Sequence, residues 1–374
     1  MIKRSIVVLF SLLLFGMLFG CVGGGGENNG NGDAASEENN SSESNNSGDA
    51  EYEFQVANVL AESDVSSYGL DKFEELVEEK SDGNIQIEVL HGGQLGSGVE
   101  TFEAVKNGNL DMAADSFANL ASITPAFEMF HLPFLFESRD QLLNAFSSEA
   151  IKEQINGELE NLNLKWFTTF EIGGPRVIGT SDTKVTSLDD LEGMTFRASR
   201  SPLEIASQEA WGAKGQTVDW PETPESVRLG MVDGLTVPYA SFHSAKFHEG
   251  DLINYIANVP FQTYASVTVV NTEMWAELPD DVKTILEESQ QEAREWHIDF
   301  VGDYVTENIN EMKEAGVEIY SIPDENYEEI KEVTKDTVWD EFIGNEGMSQ
   351  EKLDLIQEEI GPVGDGGWGY DISQ

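Results

Sequence analysis

Cysteine is almost absent from this chain. Cys21 is the only one, so the folded part can hold no intramolecular disulfide, no zinc-thiolate site and no cysteine nucleophile. Basic residues are nearly as scarce, with 21 lysines and arginines against 70 acids and a formal charge of −49. That sign argues against nucleic acid, whose phosphates need Lys and Arg to neutralise them, and it opposes anionic lipid headgroups. The five histidines, at 91, 131, 243, 248 and 297, show no metal-ligand spacing. His248-Glu249 is followed at position 252 by Leu252 rather than by a second histidine, so a zincin helix is missing; no metal and no cofactor are expected. Ser97 sits between Gly96 and Gly98 without the spacing of a nucleophile elbow. The glycine-rich run from Gly364 to Gly369 formally matches a dinucleotide fingerprint, but with five residues after it no helix can face a pyrophosphate. These absences leave a surface-attached hydrolase without a nucleophile, base or metal constellation.

What is present begins with Lys3-Arg4 and an apolar run from Ile6 to Phe19, interrupted only by Ser11 and Gly16. This reads as an export signal over residues 1–20, too short for a comfortable ~20-residue membrane span. Its Leu18-Phe19-Gly20-Cys21 ending resembles the lipobox of lipoproteins, which makes Cys21 the expected lipidated residue and a membrane anchor. Residues 21–50 are Gly, Asn, Ser, Glu, Asp and Ala almost throughout, cannot bury a core, and read as a linker. Self-repulsion at this net charge is large and is suppressed at ~1 M salt, where the Debye length is ~3 Å. The composition thus fits a protein made for salty water.

The remaining chain, about 320 residues, suggests two domains. Strands are expected at Phe54–Leu60, Asn84–Leu90 and Leu110–Ala114, with helices between them, a β-α-β-α-β order that predicts a parallel, doubly wound sheet. A second series follows: strands at Leu164–Phe170, Arg176–Gly179, Met194–Arg197, Gly215–Val218, Val232–Pro238 and Ala265–Val270, and helices at Pro202–Trp211 and Thr223–Leu229. A helical stretch from Pro279 to about Glu314 is long enough to run across two domains. Arg176, Arg197, Arg200 and Arg228, four of the seven arginines, fall between Gly173 and Pro238. Arg197 ends an apolar strand and precedes Ser201-Pro202, a helix start, so it is placed to receive an anion.

Several stretches, in order, carry a resemblance: His91-Gly92-Gly93-Gln94-Leu95-Gly96, Leu132-Pro133-Phe134-Leu135-Phe136, Gly174-Pro175-Arg176, Asp190-Leu191-Glu192-Gly193-Met194-Thr195-Phe196-Arg197, Val232-Asp233-Gly234 and Trp275-Ala276-Glu277-Leu278-Pro279. Over residues 52–345 the chain resembles the DctP-type substrate-binding proteins of tripartite ATP-independent periplasmic (TRAP) transporters. The resemblance implies an α/β, two-domain periplasmic-binding-protein-like fold, each domain a sheet flanked by helices, with a long hinge-spanning helix. Domain I is expected over 52–173 plus 262–303 and domain II over 174–261 plus 304–374, with the ligand cleft between them.

It further implies a monomeric, extracytoplasmic receptor that binds a small carboxylate and delivers it to TRAP membrane permease subunits. Arg197 would anchor the carboxylate, because a planar guanidinium presents two parallel donors. Arg176 would be a second contact, Trp220 an aromatic packed on the ligand, and Asp115 a polar group on the opposite wall; Asn58 joins the expected cleft set. Where many members have asparagine, this chain has Val237, which cannot donate a hydrogen bond, so Arg176 or a nearby hydroxyl such as that of Thr236 or Tyr239 is expected to complete the clamp with Arg197. An alternative ligand is a zwitterionic compatible solute of the ectoine type, with Asp115 and Trp220 on its cationic end.

Overall fold

A computed structural model describes residues 50–364 and 366–372 of the chain. The expected signal, Cys21 and all but the last residue of the linker lie outside the described residues. Eleven strands are described: β1 (Tyr52–Asn58), β2 (Ile85–Leu90), β3 (Met112–Ser116), β4 (Leu164–Glu171), β5 (Arg176–Thr180), β6 (Thr195–Ala198), β7 (Lys214–Thr217), β8 (Gly234–Val237), β9 (Tyr255–Gln262), β10 (Ala265–Asn271) and β11 (Glu318–Tyr320). They form two sheets flanked by helices, ordered β2-β1-β3-β10-β4 and β11-β9-β5-β8-β6-β7.

The first sheet is mixed rather than wholly parallel, which corrects the doubly wound expectation. β1 runs parallel to β2 and β3, whereas β10 is antiparallel to both β3 and β4. The cause is the link from β9: only Thr263 and Tyr264 separate Gln262 from Ala265. So short a link cannot make the helical crossover that a parallel partner needs. β10 therefore enters from the second sheet at the margin where β3 ends, pairing Ser266 with Ser116.

β4 leaves by the same margin, where Ala265 faces Glu171. Its continuation into β5 turns at Gly173 and Gly174, with φ of +80° and +95°. An L side chain is disfavoured there, and a Cβ on Gly173 would lie 2.5 Å from that of Ala240. Two direct chain crossings thus join the sheets and bring the ends of β3, β5 and β10 together.

The 35-residue helix Asp280–Glu314, about 52 Å long at 1.5 Å per residue, serves both sheets. Val282, Leu286 and Ala293 pack with Phe54 and Phe170 of the first and with Phe73 of the helix Val65–Lys80 that covers it. Val301, Val305, Ile309 and Met312 pack with Val177, Leu235 and Ile256 of the second. Asp280 and Asp281 in its first turn and Lys313 in its last match the helix dipole. The expected allotment of 304–374 to the second domain is corrected at the helix Gln350–Ile360. Its apolar face, Leu353, Ile356 and Ile360, is buried with Phe146, Ile151 and Ile155 beside the first sheet.

Candidate carboxylate site

The site collects on the margin where the sheets meet. Asp115 lies near the end of β3, Arg176 opens β5, and Arg197 is third in β6, while Tyr264 belongs to the link into β10. Trp220 opens a short helical turn after β7, and His131 closes a 3₁₀ turn, Pro125–His131. Strand ends and links are where side chains of both sheets can face one another, since the strands' own ladders satisfy the backbone.

Arg176 is fully buried, and its charge is answered within the protein. Its Nη1 donates to Glu204 Oε1 at 2.9 Å and also to the Thr236 carbonyl. Glu204, likewise buried, is saturated: Oε1 accepts a further bond from Thr236 Oγ1 at 2.9 Å, and Oε2 accepts from the Ser199 amide at 2.9 Å and the Ser199 hydroxyl. The Arg176 guanidinium lies 4.1 Å from the centre of the Tyr264 ring, a cation–π contact. Its Nε and Nη2 have no hydrogen-bond partner.

Arg197 differs. It is 2% exposed, its Nε donates to the Val218 carbonyl at 3.0 Å, and its Nη1 is unpartnered. No ion pair engages it among the described residues. Its guanidinium sits 5.4 Å from the Trp220 ring centre. Burial pushes its pKa below the ordinary arginine value and Arg176 adds to the push, while Glu204, Tyr264 and Asp115 act the other way.

Asp115 is 1% exposed. Oδ1 accepts from the Ser116 amide at 2.6 Å and Oδ2 from Asn119 Nδ2 at 2.7 Å. Burial raises its carboxyl to about 6 against those bonds and the Arg197 charge. The Gly98 backbone presses on it so closely that an added Cβ would stand 1.6 Å from Oδ2. His131 is held neutral, its pKa well below the usual imidazole value because of burial and then Arg176. Its Nδ1 meets Ser201 Oγ at 2.9 Å, its Nε2 has no partner, and its ring lies 6.2 Å from Tyr264 at 21°.

Of the residues expected from sequence, Arg197, Arg176, Trp220, Asp115 and Thr236 come together here. Thr236 acts through Glu204 rather than by facing outward. Val237 and Tyr239 do not join them, which corrects both expectations. Alternation along β8 turns Val237 away from Thr236 into the apolar cluster of Val177, Leu235 and Ala240. Tyr239 is buried in the same cluster, its hydroxyl donating to Asn258 Oδ1 at 3.1 Å and its ring packed on Tyr370. Asn58 bonds Ser67 Oγ at 2.8 Å and His91 Nδ1 at 2.9 Å within the first sheet's surroundings. Its described bonds do not reach the arginines.

Sequence reasoning missed Glu204, Tyr264, His131 and Gln262. Glu204 had a signal, standing three residues after the N-cap Ser201, where a carboxylate reaches back to a preceding amide. Tyr264 and His131 had none: Tyr264 is placed by the link between the sheets and His131 by a 3₁₀ turn distant in sequence.

The profile of the bacterial extracellular solute-binding proteins, family 7 (DctP), matches residues 56–345. The C4-dicarboxylate-binding periplasmic protein DctP of Rhodobacter capsulatus is 28% identical over 261 residues, 70% of this chain and 77% of that protein. The ectoine-binding periplasmic protein TeaA of Halomonas elongata is 25% identical over 321 residues, 84% of this chain and 89% of that one. A solved TRAP periplasmic solute-binding protein from Ochrobactrum anthropi, with its C-terminus bound in the ligand-binding pocket, superposes with a TM-score of 0.73 at 25% identity, covering 83% of this chain and 95% of that one. Sharing this fold and this family profile, the chain belongs to the DctP family, and is an extracytoplasmic substrate-binding receptor of a TRAP transporter rather than an enzyme.

Proposed function

We propose that this receptor captures a small organic acid through a salt bridge between the ligand's carboxylate and Arg197, and that its two lobes close over the bound ligand. The observation that carries the reading is the contrast between the arginines. Arg176 is neutralised by Glu204, whereas Arg197 is buried with a free Nη1 and no ion pair among the described residues. A buried, unpaired guanidinium is costly unless a partner arrives, and a carboxylate matches its fork. The relatives named for a C4-dicarboxylate and for ectoine both bind molecules that carry one.

The lobes would be built on the two sheets, hinged at the links Gly173-Gly174 and Thr263-Tyr264 and along the long helix. Closure would follow from tighter binding of ligand by the closed state, which the membrane permease subunits would then engage. Lipidation of Cys21 would hold the receptor at the extracytoplasmic face; Cys21→Ser should release it from the membrane fraction.

The central test is calorimetric titration with the best binder from a thermal-shift panel of organic acids, sugar acids and ectoine. Removing one partner of a buried ion pair costs about 3–5 kcal/mol, so Arg197→Ala should weaken binding by about 100-fold or more. Affinity within threefold of wild type would refute the assignment.

A further inference from the structure

The charges around Arg197 restrict the ligand further. Four side chains that carry charge are buried in this cluster: Arg176, Arg197, Glu204 and Asp115. Two are cations and two are carboxylates, and His131 beside them is neutral. The exposed Arg200 and Asp219 pair with each other at 3.0 Å. The site is therefore balanced before any ligand binds. A dianion would bring two negative charges, and neither would be compensated in surroundings where an unpaired charge is heavily penalised, whereas a zwitterion leaves the sum at zero.

Position strengthens the count. Arg176 and Glu204 offset each other's charge, although Arg176 Nε and Nη2 keep no hydrogen-bond partner, which leaves Arg197 from the second sheet and Asp115 from the first without an ion pair among the described residues. No ion pair joins these two among the described residues, yet each feels the other's charge. Donors and acceptors are thus presented from opposite sides. Arg197 Nη1 is unpartnered on one side, and the Asp115 carboxylate accepts on the other. Gln262, the cross-strand neighbour of Arg176, adds a second acceptor: its Nε2 donates to the His131 carbonyl at 2.6 Å, and its buried Oε1 has no partner. A dicarboxylate has no proton to give either oxygen, whereas an ammonium or amidinium group does.

We infer that the site takes a zwitterion, with its carboxylate on Arg197 and its cationic N–H end on Asp115, and that Asp115 is the residue that turns dicarboxylates away. This rests on the reading that Arg197 takes a carboxylate, and the test separates the two. Matched triplets of one skeleton supply the probes: 4-aminobutyrate, butyrate and succinate; 5-aminovalerate, valerate and glutarate; and the 4-amino acid, the mono acid and the 1,4-diacid of cyclohexanecarboxylic acid. Each is titrated calorimetrically into wild type, Asp115→Asn, Asp115→Ser and Arg197→Ala at pH 8, with folding of each variant checked by circular dichroism.

In at least one triplet the zwitterion should bind wild type about 100-fold more tightly than the diacid. Both Asp115 variants should lower that ratio by about 30-fold or more, and Arg197→Ala should abolish binding of all three members. Tighter binding of a diacid or mono acid to wild type, a ratio unchanged in both Asp115 variants, or no binding by any zwitterion would overturn the inference. Binding that survives Arg197→Ala would instead overturn the carboxylate reading beneath it.

Discussion

The buried pair of Arg176 and Glu204 allows a sharp test of how the site is held, through Glu204→Gln. The substitution keeps shape and one oxygen, so the acceptor for Arg176 and Thr236 survives. It removes the charge opposite a fully buried guanidinium and turns an amide donor toward the Ser199 N–H, which now donates to Oε2 at 2.9 Å. If only a hydrogen bond were lost, the cost would be about 1 kcal/mol. If a buried cation is left uncompensated, the cost is about 3–5 kcal/mol. At roughly 2–4 °C per kcal/mol for a domain of this size, the two accounts predict drops of a few degrees or of about 6–20 °C.

Thermal melting by circular dichroism distinguishes them. We expect the larger drop, and expect it to persist at ~1 M salt, because buried pairs are weakly screened. The double variant Glu204→Gln with Arg176→Met should recover most of the loss, since no cation then remains unpaired. A melting point within about 2 °C of wild type for Glu204→Gln, or a double variant no better than the single, would refute the argument.

The pH dependence of stability should report Asp115. Its carboxyl is raised from 3.8 to about 6 in the folded chain, so the folded state holds this proton more tightly than the unfolded state does. The group then costs stability above about 6, a cost that fades as pH falls and is gone below 3.8. Two pKa units correspond to roughly 3 kcal/mol, so ligand-free Asp115→Asn should melt higher than wild type at pH 8 and lose that advantage at pH 4. Arg197 lowers and Asp219 raises the Asp115 carboxyl; equal shifts at both pH values would contradict the assignment. Gly98→Ala should dislodge Asp115, because the new Cβ would fall 1.6 Å from Oδ2. Overpacking of this kind costs about 1–3 kcal/mol, and calorimetry should show at least tenfold weaker ligand binding. Unchanged affinity would show that Asp115 is not held where binding needs it.

Most elements were legible from local pattern. The strand Ile85–Leu90 alternates apolar and polar residues, and the helix Asp280–Glu314 announces itself by Pro279 and two acids at its start. β9 was not legible, because its apolar residues do not alternate cleanly and Pro260 interrupts it. It forms because β5 and β11 flank it, a partnership set by strands far away in sequence. The direction of β10 was equally hidden, for alternation reveals a strand without revealing which way its neighbour runs. At the site, Arg197 stood out by scarcity and by its place at a strand end. Arg176 reads in the sequence as a second contact, and only the fold sets Glu204 beside it.

The amino-acid order by itself determined the α/β character, the long helix, the scarcity of cations and the arginine at the end of β6. These follow from periodicity, capping and composition, which act over a few residues at a time. Only the tertiary structure decided which arginine is free. Glu204 lies 28 residues from Arg176 in sequence but 2.9 Å away in space, and Asp115 reaches the same margin from the other sheet. Net charge in a buried site is the sum over groups brought together by chain crossings, and that sum is invisible until the crossings are known.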